Sequence, residues 1–338
     1  MKAAVFERQG LEYLEIKEEV VLPTITDHDV LIKVKLAGVN PIDYITVSNI
    51  PGVKPLPHIP GVEVTGIIER VGNHVTDLKE GDKVVVYNVI FDGTCDMCIN
   101  GYEMCCRNAG ILGVITNSGF ADYISAPEKN VFKIPNNVQW EIAASLATTT
   151  KTPYHALREA SLKLNEFLVI FGASGNTGMM AVQFGKKMGA KVIAVSKDNW
   201  IKTDFGADYI ISDYDKVVEQ VKDITQGKMA DVVLNSPGVN TWENSFSCVG
   251  LNGRWVTFGG LTGAEVKLNV QSLYRKQIKL IGSNGSTRKE FQDVIDMSRE
   301  LKVRVWKTFK LEDAKEALQA LFSKERDGRI LLEINSSI

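Results

Sequence analysis

Between residues 1 and 130, apolar and polar positions alternate in short runs, as in Val30-Leu-Ile-Lys-Val-Lys-Leu36, Gly66-Ile-Ile-Glu-Arg-Val71 and Lys83-Val-Val-Val-Tyr87. Successive side chains on a strand face opposite ways, so each run buries one face and wets the other. Gly, Pro, Asn and Asp punctuate the runs; Gly72-Asn73 and Lys79-Glu80-Gly81-Asp82-Lys83 read as tight turns. Short strands at regular spacing predict a small β-rich, barrel-like domain. Near Pro135 the texture changes. Helical periodicity appears at 140–146 and 154–162. Strands at 167–171, 191–195, 209–211, 231–234, 254–258 and 278–281 then follow with helical segments among them, the clearest at about 177–188. That order implies βαβ units and a parallel sheet. Helices at 289–301 and 312–322 and a strand at 329–333 close the chain. The expected fold is α/β in three stretches: a β-rich domain at 1–134, a doubly wound parallel-sheet domain at 135–285, and a return to the first domain at 286–338.

Composition narrows the partners. The 338 residues are 44 % hydrophobic and 24 % charged, with a formal net charge of -2. This is an ordinary globular balance with material for real cores. No basic run suggests nucleic acid, and no apolar stretch is long enough for a secretory signal or a membrane span. The expected address is the cytoplasm, with neither a nucleic-acid nor a membrane partner. Four of the five cysteines fall between Cys95 and Cys106, and Cys248 stands apart. In a reducing compartment such a cluster reads as a metal site rather than a disulfide framework.

The strongest motif follows the run at 167–171. Gly172-Ala173-Ser174-Gly175-Asn176-Thr177-Gly178 lies between a strand and a helix, with a second strand about twenty residues on. Glycines there let the backbone turn tightly and approach a pyrophosphate, whose charge rests on N–H groups at the helix start. This is a dinucleotide site of Rossmann type. The second strand ends at Val195, followed by Ser196 and Lys197. A hydroxyl and an ammonium suit a 2′-phosphate, which favours NADP(H) over NAD(H). Asp198 is the rival, able to take a ribose 2′-hydroxyl and restore NAD(H).

Together these residues resemble the zinc-containing alcohol dehydrogenase and quinone oxidoreductase group of the medium-chain dehydrogenase/reductase superfamily. Further support comes from Val39-Asn-Pro-Ile-Asp43, Pro60-Gly-Val-Glu63 with Gly66, Gly81-Asp-Lys-Val84, Phe258-Gly-Gly260 and Ile281-Gly-Ser-Asn284. The resemblance implies a GroES-like catalytic domain joined to a Rossmann domain, a small-molecule substrate, and a homo-oligomer, dimer or tetramer. It places Thr152, Tyr214, Phe258, Gly259, Ser283 and Asn284 near the cofactor. The family's zinc-lobe spacing, C-x2-C-x2-C-x7-C, carries over at Cys95, Cys98 and Cys106, with Asp92 at the first position. An aspartate oxygen is an acceptable ligand, so one closed, structural zinc is expected; Cys105 is the rival for a neighbour's role.

The family's catalytic zinc does not carry over. Its ligand positions fall on Asn40, Val62 and Thr148, and neither valine nor an asparagine amide replaces an imidazole or thiolate as a good ligand. Without a Lewis acid an unactivated ketone is hard to reduce, whereas a quinone or an α,β-unsaturated carbonyl delocalises the incoming charge and needs only hydrogen-bond donors. The resemblance therefore implies an NADP(H)-dependent reductase of such acceptors. Asn40, Tyr44 and Thr148 are the candidate donors, with pocket wall the plainer role for the last two. Two other readings stay open: an alcohol dehydrogenase with relocated ligands around Glu63, and a non-catalytic NADPH-binding protein.

Overall fold

The alternating residues around Val34 form the strand Asp29–Gly38, ten residues long, which organises the first half of the chain. The computed structural model describes residues 1–48, 53 and 55–336. The chain divides into two units, Met1–Thr148 with Thr287–Ile338, and Thr149–Ser286.

In the first unit a seven-stranded sheet runs in the order Val305–Lys310, Arg329–Glu333, Asp29–Gly38, Glu63–Val71, Lys83–Val86, Val131–Lys133, and Tyr123–Pro127 also pairs with Asp29–Gly38. Pairing is antiparallel except between Val305–Lys310 and Arg329–Glu333. Alternation supplies two cores. Val30, Ile32, Val34, Val64, Ile68, Val84 and Ile124 form one. Phe6, Ala37, Val39, Phe120, Leu318, Ile330 and Leu332 form the other. Each large side chain buried there contributes about 1.5–3 kcal/mol. The stretch 135–148, grouped by its helical texture with the parallel-sheet domain, lies instead in this unit. Trp140 and Ala144 pack on Leu36 and Leu331, and the Thr148 N–H bonds to Glu63.

The second unit is a six-stranded parallel sheet in the order Tyr209–Ile211, Lys191–Val195, Phe167–Phe171, Ala230–Asn235, Val249–Thr257, Lys279–Gly282. Its inner strands are near-continuous apolar runs because both faces are covered. The chain steps outward from Phe167–Phe171 in one direction and then in the other. The carboxyl ends of the strands beside that reversal are where such a sheet accepts a ligand. Among the described residues no helix is long and apolar enough to cross a membrane.

Candidate functional site

In the second unit, the loop after Phe171 is shaped for close backbone approach. Gly172 has φ +73°, which favours glycine. A Cβ on Gly178 would lie 2.1 Å from the Gly172 carbonyl oxygen, so only glycine lets the helix Asn176–Lys187 start this close to the loop. Gly175 caps that helix without a side-chain hydrogen bond, and the N–H groups of a helix's first turn are where an anion is held. Gly178→Ala is therefore expected to weaken dinucleotide binding by about 10-fold or more through overpacking. Titration of nicotinamide fluorescence checks this, and an unchanged Kd would refute it.

The other expected cofactor residues fall on several elements of the same unit. Ser196, Phe258 with Gly259, and Ser283 with Asn284 follow the strands Lys191–Val195, Val249–Thr257 and Lys279–Gly282, at their carboxyl ends. Ser174, Lys197, Asp198, Ser212, Asp213, Tyr214 and Asp215 line a cleft of ≈ 740 Å³. Ser196 is buried, and its hydroxyl bonds to Asp198 at 3.4 Å and accepts the Asp198 N–H at 3.0 Å. Tyr214 donates to the Val195 carbonyl at 3.4 Å; burial, and then the Asp198 charge, push its phenol above the usual range. Among the described residues the buried Ser283 hydroxyl has no hydrogen-bond partner. Thr152 lies in the first turn of the helix Lys151–Glu159. Cradle, helix start and polar cleft together fit a dinucleotide.

The first unit holds a buried polar cluster. Arg329 is fully buried, pairs with buried Glu63, and donates to Asn40 Oδ1 at 2.9 Å, Val39 O at 3.1 Å and Ser145 Oγ at 3.2 Å. A Cβ on Gly38 would overlap the guanidinium, so that glycine makes room for it. Asn40 Nδ2 donates to Glu63 at 3.0 Å and to Gly38 O at 3.2 Å. Both ends of the amide are thus engaged inside the unit. Asp43 accepts the N–H groups of Asn40 and Val62 at 2.8 and 2.9 Å; burial pushes its carboxyl up to about 7. Tyr44, on the helix Pro41–Ser48, sets its ring edge-on to Phe322 at 4.7 Å, as packing within the unit. Thr148 is half-buried; Glu63 Oε1 accepts its N–H at 2.6 Å, and its Oγ1 accepts from Asn88 Nδ2 at 2.9 Å.

These residues do not fit a catalytic zinc. Val62 offers no donor atom, and its N–H and carbonyl are taken by Asp43 and Asn88. The Asn40 oxygen faces a guanidinium, where a second cation would be repelled. Glu63 has one oxygen on the Thr148 N–H and the other on Arg329 and Asn40. The sequence reading missed Arg329 and Asn88. An arginine opening a strand carries no local signal, and Asn88 only follows a β run.

The lobe at 92–106 is different. Asp92, Cys95, Cys98 and Cys106 are the one group of three or more such ligands among the described residues, their ligand atoms all within 4.8 Å of one another. Cys95 and Cys106 sulfurs are 3.8 Å apart. That equals the edge of a tetrahedron with bonds of about 2.3 Å, the zinc–thiolate distance. Cys106 Sγ accepts N–H groups from Asp92 and Asn108 at 3.3 and 3.4 Å, as a thiolate ligand does. Asp92 accepts from the N–H groups of Thr94 and Cys95, which hold its carboxyl well below the usual range. Cys105 is exposed and outside the group. The donor set fits one closed zinc site.

A glycine cradle on a doubly wound parallel sheet, a β-rich unit and a four-ligand lobe together point to an oxidoreductase. The chain belongs to the medium-chain dehydrogenase/reductase superfamily, a family of oxidoreductases: residues 26–136 match the alcohol dehydrogenase GroES-like domain and residues 177–300 the zinc-binding dehydrogenase family. It is 32 % identical to an alcohol dehydrogenase of Geobacillus stearothermophilus, over 99 % of this chain and 100 % of that one. It is 28 % identical to an acryloyl-coenzyme A reductase of Metallosphaera sedula, over 98 % and 99 %. A solved thermostable alcohol dehydrogenase from Pyrobaculum aerophilum superposes with TM-score 0.92 at 37 % identity, covering 99 % of each chain.

Proposed function

We propose that the chain is an NADP(H)-dependent reductase of quinones or of alkenes activated by a carbonyl, working without a catalytic zinc. The observation that carries this reading is the cluster around Val62, where an aliphatic side chain, an amide bonded to Arg329 and a threonine stand at the family's ligand positions. Such a site polarises a carbonyl through neutral donors alone, which suffices for an acceptor that spreads charge over an enolate or phenolate. The bound dihydronicotinamide supplies the hydride. One C–H bond forms at the electrophilic carbon, the π pair moves to oxygen, and the oxygen then takes a proton from water. Thr148 is the donor to that oxygen, Asn40 holds the site from behind, and Tyr44 lines it. The relative from Metallosphaera sedula is named for reduction of such an alkene.

In the nucleotide cleft Lys197 would meet the 2′-phosphate, while Asp198, bonded to Ser196, supports NAD(H) as the second reading. Lys197→Ala is expected to weaken NADPH binding by about 10-fold and leave NADH binding unchanged. Equal effects on both would favour NAD(H). Asp92, Cys95, Cys98 and Cys106 are assigned to one structural zinc. The exposed edge strand Lys279–Gly282 is the assigned pairing edge of a homo-oligomer.

The test of function is oxidation of NADPH and NADH with simple quinones, an enone and a plain ketone. Turnover with quinones and the enone, insensitive to a chelator that leaves the lobe loaded, is the expected result. Turnover confined to alcohols and ketones and abolished by the chelator would restore the relocated-ligand dehydrogenase. Binding with no turnover would leave a nucleotide-binding protein.

A further inference from the structure

Asn88, buried just after the strand Lys83–Val86, uses one amide nitrogen twice: Nδ2 donates to the Val62 carbonyl at 3.0 Å and to Thr148 Oγ1 at 2.9 Å. The Val62 contact fixes which end of the amide is which. Turned over, the amide would set its own oxygen against the Val62 carbonyl oxygen, acceptor against acceptor. Nitrogen therefore faces Thr148, and an amide nitrogen only donates. Thr148 oxygen must accept there, so its hydroxyl hydrogen points elsewhere. Among the described residues that hydrogen has no acceptor. Thr148 is also half-exposed within a run, 142–151, whose other members are buried, and its main chain is tied down by Glu63.

We infer that Thr148 donates this hydrogen to the substrate oxygen that gains charge during reduction, and that Asn88, locked by the Val62 carbonyl, is the positioning residue that aims it. This rests on the reductase reading given above. A hydroxyl that already accepts a hydrogen bond is polarised into a better donor. Its hydrogen is fixed in advance, so no reorganisation accompanies the growth of charge. Val62, at one of the family's ligand positions, thus serves here through its main chain, setting the polarity of an amide.

The experiment uses the full-length chain with its zinc content verified, steady-state kinetics with one quinone and one enone, and the variants Thr148→Val, Thr148→Ser, Asn88→Ala and the Asn88→Ala/Thr148→Val pair. Thr148→Val keeps the shape and removes the hydrogen. It is expected to lower kcat by about 10–100-fold with KM within about 3-fold, the worth of a hydrogen bond to a charged oxygen. Thr148→Ser restores kcat to within about 3-fold. Asn88→Ala lowers kcat, and the double variant is no worse than Thr148→Val alone, because both lose one donor. If Asn88→Ala fails to fold, the valine and serine variants at Thr148 decide the matter. A fully active Thr148→Val, or losses that multiply in the double variant, overturns the inference and with it the donor role of Thr148, while reduction of such acceptors without a catalytic zinc still stands. No turnover by the unsubstituted chain with either acceptor overturns both.

Discussion

Arg329→Met is expected to destabilise the fold by about 3–5 kcal/mol, the loss that follows when one partner of a buried ion pair is removed. The guanidinium is fully buried, as are the carboxyls of Glu63 and Asp43. Without it Glu63 keeps the Asn40 and Thr148 contacts but faces no cation, and the carbonyl of Val39 and the hydroxyl of Ser145 lose a donor. The deficit should also depend on pH. The folded-state carboxyl of Asp43 is pushed up to about 7 from an ordinary 3.8, first by burial, and the Arg329 charge works against that rise. A carboxyl whose folded pKa lies above its unfolded value binds its proton more tightly when folded. Its contribution is therefore fully present below about pH 4 and is lost as pH rises through about 7. Removing Arg329 raises the upper limit of that window, so stability continues to fall above pH 7. Urea denaturation at pH 5 and pH 8 checks both parts. A deficit below about 1 kcal/mol, or one equal at the two pH values, would mean the cluster is not held by its arginine. Glu63→Met added to Arg329→Met should recover part of the loss, since no charge of that pair then remains buried.

This cluster also marks where sequence patterning stops. The parallel sheet was legible because its strands are apolar runs with a glycine cradle after the first, a pattern that local physics imposes. The grouping of Asp92, Cys95, Cys98 and Cys106 is legible because the ligand spacing that the resemblance implies falls within one short loop. The helix Pro41–Ser48 was not foreseen. It is short, and Ile42, Ile45, Thr46 and Val47 are β-branched, which lowers helix propensity and leaves no helical period to read. The stretch 135–148 was grouped with the wrong neighbours because its period reports a helix and says nothing of which core receives it. Arg329 lies 266 residues from Glu63 in the chain, and no local signal links them. The side-chain partners of Asn40, which are Glu63 and Arg329, likewise lie outside its local stretch of the chain. Side-chain direction in a polar cluster is decided by distant donors and acceptors.

Elemental analysis of the undialysed protein is expected to return about one zinc per chain. Cys106→Ser is expected to reduce this to near zero while lowering thermal stability. Structural zinc in small free-standing modules is worth about 10–16 kcal/mol of folding free energy at pH 7. Here the lobe's ends, at the pairing of Val89–Ile90 with Gly110–Ile111, are fastened to a unit with its own cores. The loss should therefore appear first as local opening, measured as proteolytic cleavage between residues 92 and 106, and only then as a lower Tm. Asp92→Asn separates charge from packing. It keeps the size of the side chain but removes an anionic ligand, and should weaken zinc retention by about 10–100-fold while Asp92→Cys preserves it. A stoichiometry of about two would carry a different meaning. It would require a second metal site, and the reading of hydride transfer to an acceptor held by neutral donors would fall with it. One zinc, lost from the Cys106 variant together with lobe protection but without loss of quinone or enone reduction per folded molecule, would separate the metal that shapes this chain from the chemistry it performs.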